Sequence, residues 1–159
     1  MRLAELIPAD WGSTRMVSRG RLFDVLEHPG FIAEQEVEWL GYATYQADDD
    51  EVEVTILQSF ARGRGVGSAL IAACVEVARD RDARRVLLIT TNDNRAALDF
   101  YRRRGWQMVA TRTGAVTEAR LNLKPEIPLL GENGIPIRDE IELELPRSEW
   151  KRFVARYGW

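Results

Sequence analysis

The chain has 159 residues, 45% of them hydrophobic and 30% charged, which predicts a single soluble globular domain spanning residues 1–159. No apolar run reaches the roughly 18 residues of a membrane span, and the start of the chain does not resemble a signal peptide, so we expect a cytoplasmic protein without a membrane partner. The formal net charge of −3 disfavours nucleic acid as the main partner. Cys74 is the single cysteine, which excludes an internal disulfide framework and most metal clusters, so no metal site is expected.

The first half of the chain is predicted to be mostly strand. Residues 1–30 have weak patterning: they predict a turn at 10–13, a short strand at 14–18 and a helical turn at 21–27. Stronger strand signals follow, at 31–33, 38–45 and 51–57, because apolar residues alternate with polar ones there.

Helices and strands alternate in the second half. The spacing predicts a helix over 67–81, a buried strand over 86–90 and a helix over 95–104 that Asn94 caps and Gly105 ends. Further elements are predicted at 106–113 (strand), 115–122 (helix), 141–145 (strand) and 148–157 (helix), with a loop rich in proline and glycine at 124–136. This order indicates one domain of the α/β or α+β class.

A glycine-rich loop joins the strand at 51–57 to the following helix. Its seven residues are Arg62, Gly63, Arg64, Gly65, Val66, Gly67 and Ser68. Backbone N–H groups with so few side chains around them can converge on an anion, and the positive end of the helix dipole adds to the attraction. The loop therefore predicts a site for a phosphate or pyrophosphate group.

Two common phosphate-binding motifs do not fit this loop. Ser68 stands where the last glycine of a Rossmann fingerprint belongs, and no acid follows the next strand to hold a ribose. A P-loop is excluded as well, because no Gly-Lys-Ser/Thr sequence ends it.

A second segment narrows the choice of ligand. The Arg62–Gly67 sequence RGRGVG resembles the Gln/Arg-x-x-Gly-x-Gly/Ala signature of the GNAT superfamily, the Gcn5-related N-acetyltransferases. Residues 94–106, NRAALDFYRRRGW, resemble the second segment of that family, in the right order and spacing. The resemblance is strong over residues 51–109. It implies a GNAT fold, in which a mixed, mostly antiparallel sheet flanked by helices splays at the cofactor site, between the strands at 52–57 and 86–90.

The same resemblance implies the activity and its residues. Acetyl-CoA would be the donor and a primary amine the acceptor. The acetyl group would be transferred by direct attack of the amine on the thioester. The residues implied to bind the cofactor are Ile56, Leu57, Arg62, Gly63, Arg64, Gly65, Val66, Gly67, Ser68, Asn94, Ala97 and Tyr101. Tyr101 would also protonate the departing thiolate, and helical spacing places it on one face with Asn94 and the small Ala97.

An acceptor ammonium must lose a proton before it can attack, so the reaction needs a base or a water path. Glu53 is the predicted base, and Glu51 is the alternative because both alternate onto one face of their strand. Glu140 and Glu142 are further acids that could face the acceptor.

The acceptor itself stays open. The acidic balance of the chain favours a small cationic molecule, while protein N-termini or lysines are the alternative acceptors. A domain that senses acyl-CoA without catalysis is a competing hypothesis from a different class. Residues 114–140 are expected to shape the acceptor side, and the resemblance leaves a homodimer open.

Overall fold

The computed structural model describes residues 2–159 and arranges them around one large sheet. The helices are α1 (Arg2–Trp11), α2 (Val66–Asp80), α3 (Arg95–Arg103), α4 (Ala115–Asn122) and α5 (Trp150–Tyr157). The strands are β1 (Arg15–Ser18), β2 (Arg21–Asp24), β3 (Gly30–Gln35), β4 (Glu38–Ala47), β5 (Glu51–Ser59), β6 (Arg85–Thr91), β7 (Gln107–Arg112) and β8 (Glu140–Glu144). Short 3₁₀ turns lie at Val25–Glu27, Glu132–Gly134 and Arg147–Glu149.

Six strands form the main sheet in the order β3-β4-β5-β6-β8-β7. Every neighbouring pair is antiparallel except β5 and β6, which run parallel, and β1 and β2 form a separate hairpin. The prediction of a mixed, mostly antiparallel sheet flanked by helices is therefore confirmed.

The parallel pair holds together over only part of its length. Register runs from Glu51 opposite Arg85 to Val54 opposite Leu88 and stops there, although β5 continues to Ser59. Thr55 is an extra residue in β5, since Val54 and Ile56 lie opposite consecutive residues of β4. A bulge of this kind bends its strand, and here it coincides with the point where β5 leaves β6. The predicted splay of the sheet is observed.

The bulge also divides the core. Val52 and Val54 point into the main cluster, which is built with α2 and α5, whereas Ile56 points to the opposite face of the sheet. There it packs with Ile7 of α1 and Tyr42 of β4 in a smaller cluster. The cleft opened by the splay thus has α2 and α3 on one side and α1 on the other.

Two predictions for the N-terminal region were wrong. Residues 2–11 form α1, where only a turn at 10–13 was expected; the helix includes Pro8, a residue that normally disfavours a helix interior. The segment 21–27 is not a helical turn throughout, because 21–24 pair with 15–18 as β2. The turn between the two strands uses Arg19 and Gly20 at φ of 52° and 77°. No helix within residues 2–159 combines the length and the apolar character needed to cross a bilayer.

Truncation of Leu143 is expected to destabilise the fold. This side chain is fully buried in β8, between β6 and β7, so Leu143→Ala should lower the free energy of unfolding by about 2–5 kcal/mol through lost burial and an unfilled cavity. Leu121→Ala is the matched control, because Leu121 is 75% exposed on α4 and should change stability by less than about 0.5 kcal/mol. Urea unfolding of both variants measures the difference, and equal midpoints would contradict the placement of β8.

Candidate active site

A cleft of about 340 Å³ occupies the gap between β5 and β6. Ile56 and Leu57 line it from β5, Ala97 and Tyr101 from α3, and Trp11 from the end of α1. Beyond Val54 the β6-facing edge of β5 has no strand partner within the described chain. An open strand edge beside an apolar cleft can accept an extended ligand that adds backbone-like hydrogen bonds.

The glycine-rich loop meets the start of α2 at the mouth of this cleft. Gly63 and Gly65 have φ values of 75° and 76°, the left-handed region that side chains disfavour. Gly65 is the N-cap of α2 and supplies no side chain to cap it. The first backbone bond of the helix runs from the Ala69 N–H to the Gly65 carbonyl oxygen over 2.9 Å. The N–H groups of residues 66–68 therefore have no partner within the helix.

This loop meets the requirements of a pyrophosphate site. Free N–H groups and the positive end of a 15-residue helix attract an anion, and a Cβ added at Gly65 would meet no atom within 4 Å. Gly67 lines the cleft, where an added Cβ would stand 3.5 Å from the Phe100 ring. The side chains of Arg62 and Arg64 lie exposed beside the loop, and Arg64 contacts Gln35.

The side chain of Ser68 is already engaged by an arginine. The Arg104 guanidinium donates from Nε to the Ser68 hydroxyl over 2.8 Å and from an amino group to the Phe100 carbonyl over 2.9 Å. The same guanidinium lies 3.7 Å from the centre of the Phe100 ring. Arg104 thus joins the start of α2 to the end of α3.

The start of α3 matches its sequence prediction. Asn94 caps the helix, with its Oδ1 accepting from the Ala97 N–H over 3.2 Å, and both residues line the cleft. Tyr101 follows one turn later. The sequence therefore brought these three side chains to one wall of the cleft, as helical spacing requires.

Burial keeps Tyr101 protonated. Its ring packs edge-on against Phe100 and Trp106, at centroid distances of 5.1 and 5.4 Å, and only 6% of the residue is exposed. Loss of solvation raises the pKa of the Tyr101 hydroxyl, with a further rise from Cys74 and a smaller opposing effect of Arg104. A phenol that is neutral near pH 7 and reaches a cleft can donate a proton there.

The carboxylate of Glu53 is buried and already hydrogen-bonded. Its carboxylate is 2% exposed and accepts from the Ser18 hydroxyl at 2.7 Å and from the Arg19 guanidinium at 2.5 Å, and Arg21 is 3.5 Å away. Glu51 pairs with Arg19 at 2.7 Å. Both of the acids predicted as bases are therefore held by arginines of the β1–β2 hairpin.

These contacts belong to a larger ion-pair network on the same face of the sheet. Arg85 contacts Glu51 at 3.6 Å, Glu144 at 2.5 Å and also Glu142, which Arg112 contacts at 2.7 Å. The network members, all linked through shared pairs, are Arg19, Arg21, Arg85 and Arg112 with Glu51, Glu53, Glu142 and Glu144.

Glu140 stands next to this network but forms no ion pair within residues 2–159. It is 3% exposed, and its carboxylate accepts only from the backbone N–H of Arg19, at 3.2 and 3.3 Å from the two oxygens. Burial is the main cause of a raised Glu140 pKa; the Arg19 N–H and Arg112 oppose the rise, and Glu53 adds to it. Unlike Glu53 and Glu142, Glu140 therefore has no arginine side chain within ion-pair distance in residues 2–159.

Sequence reasoning missed several residues of the site. Trp11 was placed in a turn, and nothing in its neighbourhood signalled a wall of the cleft. The pairing of Glu53 with Arg19 was missed because the two residues are 34 positions apart in the chain. The only signal available was the alternation of Glu51 and Glu53, which places both on one face but does not identify their partners.

Comparison with known proteins decides the family. Residues 2–106 match the model of the "Acetyltransferase (GNAT) family". This protein is a member of the GNAT acetyltransferase family. The family uses acetyl-CoA as co-substrate, so the predicted fold, family and co-substrate are confirmed.

This GNAT protein is also similar to individual proteins in sequence and to solved structures in fold. The uncharacterized protein YdhI of Bacillus subtilis is 41% identical over 140 residues, which cover 87% of each chain. A GNAT family acetyltransferase from Elizabethkingia anophelis, solved with acetyl-CoA bound, has a TM-score of 0.62 at 20% identity, covering 72% of this chain and 73% of its own. A Bacillus subtilis acetyltransferase in complex with CoA has a TM-score of 0.61 at 21% identity, covering 72% and 74%.

A charge at Gly65 is expected to weaken the binding of acetyl-CoA. Gly65→Glu places a carboxylate at the N-cap of α2, where the free N–H groups lie, so calorimetric titration should show at least about tenfold weaker binding. Gly114→Glu is the matched control: Gly114 is the N-cap of α4, has φ 75° and has equally open space, so the strain is the same away from the cleft. Equal affinities in the two variants would refute the loop as the pyrophosphate site.

Proposed function

We propose that this GNAT protein is an N-acetyltransferase that moves the acetyl group of acetyl-CoA to a primary amine. The observation that carries the proposal is a single cleft that combines free backbone N–H groups with a buried phenol. Free N–H groups of residues 66–68 lie at one end, and the protonated Tyr101 lies on the wall formed by α3. The GNAT family and its acetyl-CoA requirement supply the reaction class.

The residues that we assign to acetyl-CoA are those implied by the family resemblance, and the lining of the cleft by Ile56, Leu57 and Gly67 supports the assignment. The amides of residues 64–68 would hold the pyrophosphate, with Arg62 and Arg64 adding positive charge at the edge. The open edge of β5 at Ile56 and Leu57 would hydrogen-bond the pantetheine arm, and the small Ala97 leaves room for it. Acetyl-CoA supplies an acetyl group activated as a thioester.

Tyr101 is the proposed acid. As the new carbon–nitrogen bond forms, the carbon–sulfur bond breaks and its electron pair stays on sulfur. The Tyr101 hydroxyl donates its proton to that sulfur, so CoA leaves as a thiol rather than a thiolate. No covalent bond to the protein is needed, because the amine itself is the nucleophile.

The second proton is the one that the acceptor ammonium loses. Glu53 was predicted to receive it, and that assignment stays a prediction. The contacts favour Glu140, because Ser18 and Arg19 already occupy the oxygens of Glu53 whereas Glu140 accepts only a backbone N–H. Burial also raises the pKa of Glu140, which makes its carboxylate a stronger base than an ordinary glutamate.

The activity is tested by following thiol release from acetyl-CoA with a panel of primary amines. Release that depends on an amine supports the proposal. Binding of acetyl-CoA without release from any amine would instead support the acyl-CoA sensor, and release only with peptides would support a protein N-terminal or lysine acetyltransferase.

Removal of the Tyr101 hydroxyl is expected to separate binding from turnover. Tyr101→Phe keeps the ring that packs on Phe100 and Trp106, so the Kd for acetyl-CoA should stay within about twofold while kcat falls at least about 100-fold. Tyr157→Phe, on α5, is the control and should retain the wild-type kcat. An undiminished kcat in Tyr101→Phe would exclude Tyr101 as the acid.

The pH dependence of turnover is expected to report Glu140. A base acts only when ionised, so kcat/KM should fall as the pH drops through the raised Glu140 pKa, above the ordinary carboxyl value of about 4.3. Glu140→Gln should remove this acidic limb and lower kcat by about 100-fold.

Glu53→Gln provides the comparison. It breaks the pairs with Arg19 and Arg21, so it should lower the melting temperature but keep the acidic limb. Loss of the limb in Glu53→Gln with its retention in Glu140→Gln would return the base role to Glu53.

A further inference from the structure

A second cavity of about 200 Å³ lies beside the cleft. The two share Ile89 and Thr90 of β6, so they meet along the same strand. The walls of the second cavity are mainly apolar, and they come from the β1–β2 hairpin, α4 and the loop that follows α4. The apolar side chains are Met16, Val17, Val116, Ile127 and Ile137.

Two charged side chains line this cavity, one of each sign, and neither has an ion-pair partner within residues 2–159. Lys124 donates from Nζ to the Arg15 carbonyl oxygen at 2.6 Å and is partly buried, which lowers its pKa. Glu140 is 3% exposed and accepts only the Arg19 N–H. Unpaired charges in a partly closed site are costly unless a ligand completes them.

We propose that this second cavity binds the acceptor, and that the acceptor is a primary amine that also carries a carboxylate on an apolar body. Its ammonium lies against Glu140 and its carboxylate against Lys124. The inference rests on the proposed acetyltransferase activity and names the substrate class for it.

Charge complementarity separates this class from the alternatives. A polyamine or aminoglycoside would place further ammonium groups near Lys124, which repels them. Glu51 and Glu53, the acids predicted as bases, are already paired with arginines and offer no free charge to a polycation. A plain alkylamine would satisfy Glu140 but leave Lys124 without an anion. Only an amine with an acidic group satisfies both side chains, and the cavity volume limits it to a small molecule.

The experiment compares acceptors that differ only by the carboxylate. L-Leucine is paired with isopentylamine, and 6-aminohexanoate with pentylamine, so the two pairs sample a short and a long separation between amine and acid. We expect the acid to have at least about tenfold higher kcat/KM in one pair or both. Equal or better turnover of both carboxylate-free amines, or of spermidine, would overturn the proposal.

The lysines supply a matched pair of variants, since Lys124 and Lys151 are the only two in the chain. Lys124→Met should bring the kcat/KM ratio between acid and amine close to one, whereas Lys151→Met, which changes an exposed residue of α5, should keep the wild-type ratio. Lys124→Arg retains the cation and should restore most of the preference. A ratio unaffected by Lys124→Met would overturn the role of Lys124.

A binding measurement separates this proposal from the acetyltransferase activity itself. Calorimetric titration of the preferred acid into the protein saturated with CoA should show saturable binding that Lys124→Met weakens about tenfold. If acetyl-CoA fails to bind the wild-type protein, the proposed function fails. If acetyl-CoA binds and amines without a carboxylate are the better acceptors, only the substrate class fails.

Discussion

The divergence of β5 from β6 is the constraint on which the rest of the site depends. Strands that remained paired to their ends would leave no cleft, and the edge of β5 would be occupied by hydrogen bonds to β6. Thr55 marks the divergence, because one extra residue in β5 changes which face its following side chains occupy. The hydroxyls of Thr55 and Thr44 lie 2.7 Å apart across the bulge and help to fix it.

The ion-pair network on the sheet face that carries Glu51 and Glu53 has a structural role. Glu53 and Glu142 are buried and Glu51 and Glu144 are partly exposed, and their negative charges are compensated by the arginines of the hairpin, β6 and β7. The network therefore fastens the β1–β2 hairpin to the main sheet through charge, in addition to the apolar packing of Met16 and Phe23 against the smaller cluster. It also explains why an acid on β5 need not be catalytic, even when it alternates toward the substrate side.

Much of the fold could be predicted from the sequence, and the reasons are local. The helix at Val66–Asp80 was predicted because its apolar residues follow a helical period, and the strand at Arg85–Thr91 because it contains a short continuous apolar run. The helix α4 matched its predicted bounds. The helix α1 was missed because Pro8 argues against it locally and its stability comes from Ile7 packing on Tyr42.

The features of the candidate site could be predicted where they are local in sequence and could not where they join distant segments. The glycine-rich loop and the face of α3 were found because neighbouring residues in sequence build them. The Arg19–Glu53 pair and the cavity between Lys124 and Glu140 were not, because each joins segments far apart in the chain. Contacts of that kind depend on the tertiary arrangement and leave no periodic signal.

The bonds of Arg104 to Ser68 and Phe100 have a mechanical consequence. They tie the start of α2 to the end of α3, so that wall of the cleft moves as one body. The opposite wall is α1, which has a single buried residue, Ile7, and rests on the smaller apolar cluster. Elements with few buried contacts open at the lowest free energy. The wall formed by α2 and α3 is therefore the stiffer side of the cleft, and the wall that carries Trp11 is the side that opens at the lower free energy.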